Sequence, residues 1–455
     1  MDFAQIAQEA GKKFLETDKD TSIRLISHFD TDGLCSCAIL QAALAKEGYT
    51  YATVQVPHLD NEALVDIKED LVIFLDVGAN KIKEISKAIK GKAIVLDHHQ
   101  GKETAKNVEH INPYVHGEET PNIISGAGVA YFFALGMNSD NRELAKIALL
   151  GAVGDSQERN GFIEYNDMIL KHALVQKRVS ITKRLRLYGI NSRPLLKVLE
   201  YSTDVDIPGV TGNEHGAKQL LRDLGIYYSF KSRNGERPRL KKYFHLRDDE
   251  KERLNDAIME LKDHDESLLV NAYSFTDERR ELKDAREYAT IINACGRLGD
   301  YEAALGCLKG DEESQDKAVA NLRMYKNMLW EAMNFAKEQK ETFVQGDDYI
   351  IIDLESMVRP SMVGIIASML ARNREFPEGV TVCTLGRVDD EFTKVSLRVS
   401  RDVAGKKLQD LLADVTKEFG ADAGGHDNAA GAIIETKDKE KFLELLKKAL
   451  EVKQS

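Results

Sequence analysis

Four short segments in the first third of the chain carry side chains that could ligate metal ions. They are SHFDTDG (27–33), LDVG (75–78), LDHHQ (96–100) and GDSQE (154–158). Hard divalent cations prefer carboxylate oxygens, and a borderline ion such as Mn²⁺ also accepts imidazole nitrogen. Together the segments predict a two-metal site. Its candidate acids and histidines are Asp30, Asp32, Asp76, Asp97, Asp155, His28, His98 and His99.

Apolar runs predict that these segments meet at one edge of a sheet. Residues 23–26, 71–75 and 93–96 each indicate a buried parallel strand that ends where an acidic residue begins. In open α/β sheets, ligands collect at the carboxyl ends of the strands. A single aspartate after a strand can instead cap a helix or form a turn. Several like charges at one sheet edge, however, cost free energy unless cations neutralise them.

The four segments resemble, in content and order, the motifs HFDTDG, DVG, DHH and GDS of the DHH phosphoesterase family. The resemblance continues downstream. INACGRLG (292–299) is similar to the Asn-Ala-Ala-Gly-Arg segment of RecJ-type nucleases, with Cys295 in place of the usual second alanine. GGHDNAAG (424–431) resembles the glycine-glycine-histidine signature of the accessory domain called DHHA1.

The resemblance implies two divalent ions, Mn²⁺ with Mg²⁺ as the alternative, which lie about 3.5 to 4 Å apart in two-metal sites and activate water for in-line attack on phosphorus. It implies that Asp76 is shared by both ions. His28 and Asp30 would complete one ligand set, although His28 could lie just outside it and only orient a ligand. The other set would be Asp32, Asp76, His98 and Asp155.

The remaining site residues are also assigned through the resemblance. Asp97 would orient its histidine neighbour, and His99 would donate to the scissile phosphate as charge grows on its oxygens. The planar fork of Arg398 suits bidentate phosphate contact, with a surface salt bridge as the alternative. The other candidate substrate-binding residues are Asn293, Arg297, Gly424, Gly425 and His426.

The glycine pair also has a local interpretation. Without side chains, Gly424 and Gly425 let backbone N–H groups approach a phosphate in a turn that His426 completes. The alternative is a helix C-cap after Phe419. In the same way, Gly296 and Gly299 could mark a helix end.

The element pattern predicts an α/β fold. A doubly wound, mainly parallel-sheet DHH domain is expected over 1–191 and 275–310, with an inserted subdomain at 192–274. A connector helix is expected over 311–341 and a smaller α/β DHHA1 domain over 342–455. Archaeal RecJ-like nucleases, including the GINS-associated type, carry a partner-binding insertion at this place, so the resemblance implies contact with a GINS-type replisome complex.

Composition favours an intracellular protein without a membrane segment. The 455 residues exceed what one hydrophobic core usually holds, so two or three domains are expected. The five cysteines form no CxxC pair, and their odd number argues against a disulfide framework, which fits a reducing cytoplasm. No apolar run approaches the roughly 18 residues that span a bilayer. The sequence thus predicts cytoplasmic localisation and no membrane partner.

Two basic clusters stand out, because a net charge of −12 disfavours a generally nucleic-acid-binding surface. The first runs from Lys171 to Lys197 and lacks acidic residues between its eight cations. The second runs from Lys231 to Arg247, where Tyr243 and Phe244 interleave with basic residues as in single-strand binding surfaces. A solvated face, a partner-docking loop or a small aromatic core would explain the second cluster as well.

The resemblance therefore implies a Mn²⁺-dependent exonuclease of archaeal RecJ-like type in DNA replication and repair. The expected substrate is single-stranded DNA, with RNA second, and the expected products are mononucleotides released from 5′ to 3′. One alternative is a nano-RNase or cyclic-dinucleotide phosphodiesterase, and another is a replisome scaffold that has lost catalysis. A family II inorganic pyrophosphatase ranks last because the second domain of those enzymes lacks the GGH segment.

Overall fold

Strands and helices alternate along the first half of the chain. The computed structural model describes residues 2–59, 63–65, 67–187, 189–190, 193–202, 205–230, 238–264, 268–338, 343–372, 376–401, 406–421 and 423–452, with the backbone alone at 337, 426 and 452. Within these ranges it contains two compact units. One comprises residues 1–296 and 300–319, and the other comprises 297–299 and 320–455.

The first unit is built on a five-stranded sheet, ordered β2-β1-β3-β4-β5, in which every neighbouring pair is parallel. Its central strands are almost wholly buried, as their apolar runs predict. The strands are β1 (Ile23–His28), β2 (Tyr51–Val56), β3 (Leu71–Leu75), β4 (Lys92–Leu96) and β5 (Val108–Ile111).

Helices connect and cover these strands. Asp2 caps the first helix in a reciprocal capping box with Gln5, and Ser125 caps the fourth. The helices of this part are α1 (Phe3–Phe14), α2 (Thr31–Lys46), α3 (Ile82–Ala88), α4 (Gly126–Met137), α5 (Ala145–Gly154) and α6 (Glu164–Val175). The order 2-1-3-4-5 reverses direction between β1 and β3, and ligands bind at such a switch point in open α/β sheets.

A two-stranded antiparallel sheet bounds the inserted segment. β6 (Val179–Leu185) pairs with β7 (Leu269–Phe275), and the register ends at the pair Leu185 and Leu269. The chain between these two residues packs its own apolar cluster, which includes Leu199, Leu221 and Leu254. The helices of this segment are α7 (Leu195–Glu200), α8 (Glu214–Asp223) and α9 (Asp248–Leu261).

Three helices follow β7: α10 (Ala285–Leu298), α11 (Tyr301–Leu308) and the long α12 (Glu312–Glu338). The second unit then forms a six-stranded sheet ordered β12-β13-β11-β10-β9-β8, in which β9 and β10 are parallel. Its strands are β8 (Val344–Gln345), β9 (Tyr349–Asp353), β10 (Thr381–Arg387), β11 (Phe392–Val399), β12 (Ala423–His426) and β13 (Ala429–Glu435), and its helices are α13 (Pro360–Ala371), α14 (Leu408–Thr416) and α15 (Lys439–Val452).

The predicted fold class is confirmed: a mainly parallel α/β sheet is followed by a second, smaller α/β domain. One local expectation is wrong. Gly424, Gly425 and His426 lie in strand β12 and pair with Gly431, Ala430 and Ala429 of β13, so they form neither a turn nor a helix C-cap. The chain reverses after them, at Asp427 and Asn428.

All five cysteines are buried thiols, and no helix among the described residues combines the length and apolarity that crossing a membrane requires.

Candidate metal centre

The loop between β1 and α2 supplies the first three ligand candidates. His28 ends β1, and Asp30 caps α2 by accepting a hydrogen bond from the Gly33 backbone N–H at 3.1 Å. Asp30 Oδ1 also lies 3.1 Å from His28 Nδ1. Helix capping and ligand placement are therefore served by the same carboxylate.

Asp32 lies in the first turn of α2 and is fully buried. Its Oδ2 accepts from the Gly126 N–H at 2.6 Å, and its Oδ1 accepts from the Ala127 N–H at 3.0 Å. These donors belong to the first turn of α4, where free N–H groups and the helix dipole stabilise negative charge. Burial nevertheless raises the pKa of Asp32 well above its ordinary value, and the charges of Asp76 and Asp155 add to this shift.

Asp76 follows β3 in a left-handed backbone conformation with φ of 59°. This region is unfavourable for residues with a side chain and occurs where surrounding structure holds it in place. Space around the carboxylate is also tight. A Cβ at Gly126 would lie 2.7 Å from Asp76 Oδ1, and one at Gly151 would lie 2.3 Å from Asp32 Oδ1. Glycine at these two positions leaves room for the acidic side chains.

The segment after β4 orients two histidines through one buried carboxylate. Asp97 Oδ1 accepts from the backbone N–H groups of His98 and His99 at 2.7 and 3.2 Å and from His99 Nδ1 at 2.7 Å. Its Oδ2 accepts from the Ala79 N–H at 2.8 Å. Burial opposes ionisation of Asp97, but the hydrogen bond from His99 and its neighbours outweigh burial and lower the pKa of the carboxyl.

His99 differs from the other candidates in its exposure. Its side chain is 58% exposed, whereas that of Asp76 is 2% exposed. The hydrogen bond to Asp97 is the main cause that raises the pKa of His99 above its ordinary value. An imidazole held by a buried carboxylate thus faces solvent beside the acidic cluster.

The ligand candidates form two groups that share Asp76. In the first, His28 Nδ1 lies 3.1 Å from Asp30 Oδ1 and 3.5 Å from Asp76 Oδ2. In the second, His98 Nε2 lies 3.3 Å from Asp76 Oδ1, and it also lies 3.2 Å from Asp155 Oδ2 and 3.7 Å from Asp32 Oδ2. The two oxygens of Asp76 therefore face different histidines.

The donor set fits divalent cations. Within each of the groups His28/Asp30/Asp76 and Asp32/His98/Asp155, the possible ligand atoms lie within 4.8 Å of one another. His28 Nδ1, Asp76 Oδ1 and His98 Nε2 are buried and have no hydrogen-bond partner among the described residues. Burial also raises the pKa of Asp155. Crowded carboxylates and unsatisfied buried nitrogens are both relieved by positive ions, and mixed oxygen and imidazole ligands suit Mn²⁺.

Helix α10 packs directly against the ligand loop. A Cβ at Gly296 would lie 2.0 Å from the carbonyl oxygen of Phe29, and Thr31 Oγ1 donates to the Ala289 carbonyl at 2.9 Å. Gly296 therefore marks a close helix contact and not a helix end. Asn293 is half-buried on the same helix.

The second unit gathers a separate cationic group. Arg398 on β11 donates from Nε to Ser368 Oγ and from Nη1 to Ser396 Oγ, both at 2.9 Å. These neutral partners hold the guanidinium without neutralising it, so the expected alternative of a surface salt bridge does not describe it. Burial lowers the pKa of nearby Lys394, and the charges of Arg297 and Arg398 contribute to that shift. Arg297 Nη1 donates to the Ser361 carbonyl at 3.0 Å.

The glycine segment lies at the edge of the same sheet. A Cβ at Gly424 would meet no atom within 4 Å, whereas one at Gly425 would lie 2.2 Å from the Ala429 carbonyl. Gly425 has φ of 141°, so the close pairing with β13 requires glycine there. The side chain of His426 lies outside the described part of the structure.

Several residues of these two groups were not among the sequence candidates. Gly126, Ala127 and Gly151 shape the site around Asp32 and Asp76, and the glycine-rich helix start SGAG (125–128) was the signal for the first two. Lys394 shares a face of β11 with Arg398, and the alternation Lys-x-Ser-x-Arg over 394–398 could have revealed it.

Half of the eight cations of the first basic cluster pair with acidic residues. Lys171 pairs with Asp167, Arg178 with Asp277 and Arg184 with Asp284. Lys197 pairs with Glu200 and Glu214. Two of the acidic partners, Asp277 and Asp284, lie about a hundred residues further along the chain, and the continuous positive run does not form a continuous positive surface.

Comparisons with known proteins agree with this architecture. The model of the DHH family, N-terminal domain, matches residues 22–153, that of the DHH-CID domain matches 187–264, and that of the DHHA1 domain matches 346–452. An uncharacterised protein of Methanocaldococcus jannaschii is 30% identical over 444 residues, which cover 94% of this chain and 93% of that protein.

Solved structures share the fold. A crystal structure of the exonuclease RecJ bound to manganese aligns with a TM-score of 0.60 at 18% identity and covers 98% of this chain and 94% of that one. CDC45 from Entamoeba histolytica aligns with a TM-score of 0.63 at 13% identity and covers 98% and 97%. The fold, the domain matches and the acidic cluster define a metal-dependent hydrolase. More particularly, the chain belongs to the DHH family and has RecJ-like DHH and DHHA1 domains.

Proposed function

We propose that this protein is a Mn²⁺-dependent exonuclease that degrades single-stranded DNA from 5′ to 3′ and releases mononucleotides, with RNA as a second substrate. The observation that carries the proposal is the position of Asp76, whose two carboxylate oxygens face two separate histidine–carboxylate groups. A shared carboxylate between two ligand sets is the arrangement that a two-ion phosphodiesterase needs.

In this proposal His28, Asp30 and Asp76 would hold one divalent ion, and Mg²⁺ is the alternative to Mn²⁺. The second ion would be held by Asp32, Asp76, His98 and Asp155. A bound pair of this kind supplies Lewis-acid charge at the phosphate and a nucleophilic water at neutral pH. The N–H groups of α4 hold Asp32 in place whether or not an ion is bound.

His99 is proposed to act on the scissile phosphate. Asp97 fixes the ring through Nδ1, so the Nε2 side is left to donate to a phosphate oxygen. The contact with Asp97 raises the pKa of His99, which favours donation, and a donor at this place stabilises negative charge as it grows on that oxygen. Asp97 is in this scheme a positioning residue because its oxygens are occupied by protein donors.

The DHHA1 domain is proposed to hold the sugar-phosphate backbone. Arg398 and Lys394 lie on one face of β11, and Arg297 adds a third positive charge near Lys394. Gly424 and Gly425 lie on the edge strand, where unpaired backbone N–H groups can contact phosphate oxygens. His426 and Asn293 complete the proposed substrate contacts.

A replisome association is the second part of the proposal. The matched DHH-CID domain and the fold shared with CDC45 support a partner-binding role for the insertion, with a GINS-type complex as the partner. The register of β6 and β7 suggests the test. Replacing residues 186–268 by Asn-Gly would close Leu185 and Leu269 into a two-residue hairpin. The shortened protein should retain metal-dependent hydrolysis and lose the complex in size-exclusion chromatography.

The nuclease proposal is tested with single strands of DNA and RNA labelled at either end, titrated with Mn²⁺, and with dinucleotides in parallel. A 5′ to 3′ enzyme releases a 5′ label at once as a mononucleotide and yields a ladder from a 3′-labelled strand. The reverse pattern would overturn the polarity. Cleavage confined to dinucleotides would indicate a nano-RNase, and no cleavage of any substrate would favour the replisome scaffold.

A further inference from the structure

The insertion carries an exposed strip of three aromatic rings. The rings of Phe244 and His245 lie 4.1 Å apart between centroids, and those of Phe230 and His245 lie 5.0 Å apart. Phe230 and Phe244 are 38% and 37% exposed, which is unusual for phenylalanine. Tyr243, by contrast, is buried in the core of the insertion. Tyr243 and Phe244 are thus adjacent in the sequence, yet the first is buried and the second is exposed.

Backbone hydrogen bonds fix this strip in place. The N–H of Phe230 donates to the Arg239 carbonyl at 2.8 Å, and the N–H of Lys241 donates to the Tyr228 carbonyl at 2.7 Å. His245 Nδ1 accepts from the Lys242 N–H at 2.9 Å, which sets the orientation of the central ring. Hydrogen bonds therefore fix the backbone that carries the three rings, and one of them also fixes the His245 ring.

Four cations surround the rings. Arg280 lies 3.9 Å above the Phe244 ring, Lys242 lies 5.7 Å from that ring, and Lys241 lies 5.8 Å from the Phe230 ring. Burial lowers the pKa of His245, and the charges of Arg280, Arg239 and Lys242 lower it further. The charges that add to this shift are all positive, in a chain whose net charge is −12.

These cations form no ion pair with a described residue, although the charge of Arg280 contributes to the lowered pKa of Glu281. Across the part of the chain that the structure describes, none of Arg239, Lys241, Lys242 and Arg280 forms an ion pair. Neighbouring cations do form them: Arg247 pairs with Asp249, and Arg279 pairs with Glu281 and Asp316. The positive charge beside the rings is thus left available to an external anion.

We propose that this strip, formed by Phe230, Phe244, His245 and the four cations, is a binding site for single-stranded nucleic acid. Bases stack on the exposed surface of the Phe230 ring and on the Arg280 guanidinium that lies over Phe244, and the ammonium groups contact the phosphates between them. An acidic protein segment would satisfy the cations, but it would leave these stacking surfaces without partners. The site lies on the insertion and on Arg280 just after it, and it is distinct from the metal ligands. The inference depends on the proposed function in one respect only, which is the choice of single-stranded nucleic acid as the ligand.

The test is fluorescence anisotropy with labelled (dT)20 in EDTA, so that binding is measured without hydrolysis and does not depend on nuclease activity. Phe244→Ala should weaken binding by at least about fivefold, the effect of losing one stacked base. Tyr201→Ala is the matched control, because Tyr201 is also exposed and lies 5.4 Å from a lysine that two carboxylates neutralise. Equal effects of the two substitutions would overturn the proposal.

Salt dependence supplies a second readout that a folding defect would not imitate. The slope of log K against log salt is negative, and each phosphate contact on a single strand contributes about 0.7 to its magnitude. Lys241→Gln combined with Lys242→Gln should therefore reduce that magnitude by about 1.4. Lys87→Gln combined with Lys90→Gln changes the net charge equally at an exposed site elsewhere and should leave the slope unchanged. An unchanged slope in the first pair, or displacement of (dT)20 by polyglutamate at equal charge concentration, would refute the site.

Discussion

Substitutions at Asp76 can separate the effect of backbone strain at the metal centre from the effect of the carboxylate charge. With φ of 59°, any residue with a Cβ is strained at this position, and glycine is not. Asp76→Gly and Asp76→Ala both remove the carboxylate that raises the pKa of Asp32 and Asp155 by repulsion. Only the glycine variant also relieves the backbone, which is worth about 1 kcal/mol.

The expected order of stability without metal follows from these terms. Both variants lose the same repulsion of Asp32 and Asp155 and the same contacts with His28 and His98, so these effects cancel between them. Asp76→Gly should unfold above Asp76→Ala by about 2 °C, the shift that about 1 kcal/mol produces in a unit of this size. The assay is differential scanning calorimetry in EDTA. Asn122→Gly and Asn122→Ala provide the matched control, because Asn122 has φ of 63° and is not a ligand candidate.

Adding Mn²⁺ should stabilise the wild type most. The wild type gains stability by binding the ion in the folded state, whereas both variants lack the shared ligand and gain less. Neither variant should retain Mn²⁺-dependent cleavage. A metal-free Asp76→Gly protein that unfolds below Asp76→Ala would refute the argument from strain, and cleavage by either variant would refute the assignment of Asp76.

Three further outcomes are expected. Gly126→Ala should lower kcat by roughly a hundredfold, because the new Cβ would lie 2.7 Å from Asp76 Oδ1 and would displace that carboxylate. Gly128→Ala on the same helix should keep most of the activity, because its Cβ would meet only side-chain atoms of two isoleucines. Arg398→Ala should raise KM about tenfold with kcat within about twofold, because it removes a phosphate contact and no reacting group; an equal fall in kcat would contradict this. Contacts with carboxylates outweigh burial and raise the pKa of His28 from 6.5 to about 11. The metal-free fold should therefore lose stability as pH rises above 6.5. Calorimetry in buffers of different ionisation enthalpy should detect protons released when Mn²⁺ binds.

The sequence allowed the sheet edge and its acids to be predicted because buried parallel strands are continuous apolar runs that end sharply. β3 and β4 follow this rule and place Asp76 and Asp97 at their ends. β2 and β5 were not anticipated. β2 alternates between half-buried and exposed residues, and β5 has only four residues, so neither produces such a run.

Other features depend on contacts between distant parts of the chain. The N–H groups that hold Asp32 come from residues 94 and 95 positions away, and no local pattern encodes that pairing. The basic run at 171–197 looked continuous because its acidic partners, such as Asp277 and Asp284, lie about a hundred residues further on. The turn predicted at Gly424 failed because β13 offers the segment a strand partner.

The central claim is that Asp76 joins two ion sites, and electron paramagnetic resonance during a Mn²⁺ titration tests it most directly. The wild type should take up two Mn²⁺ ions per chain and give the spectrum of an exchange-coupled pair, whereas Asp76→Ala should give at most isolated ions. A single uncoupled ion in the wild type, or a coupled pair that survives in Asp76→Ala, would contradict the account.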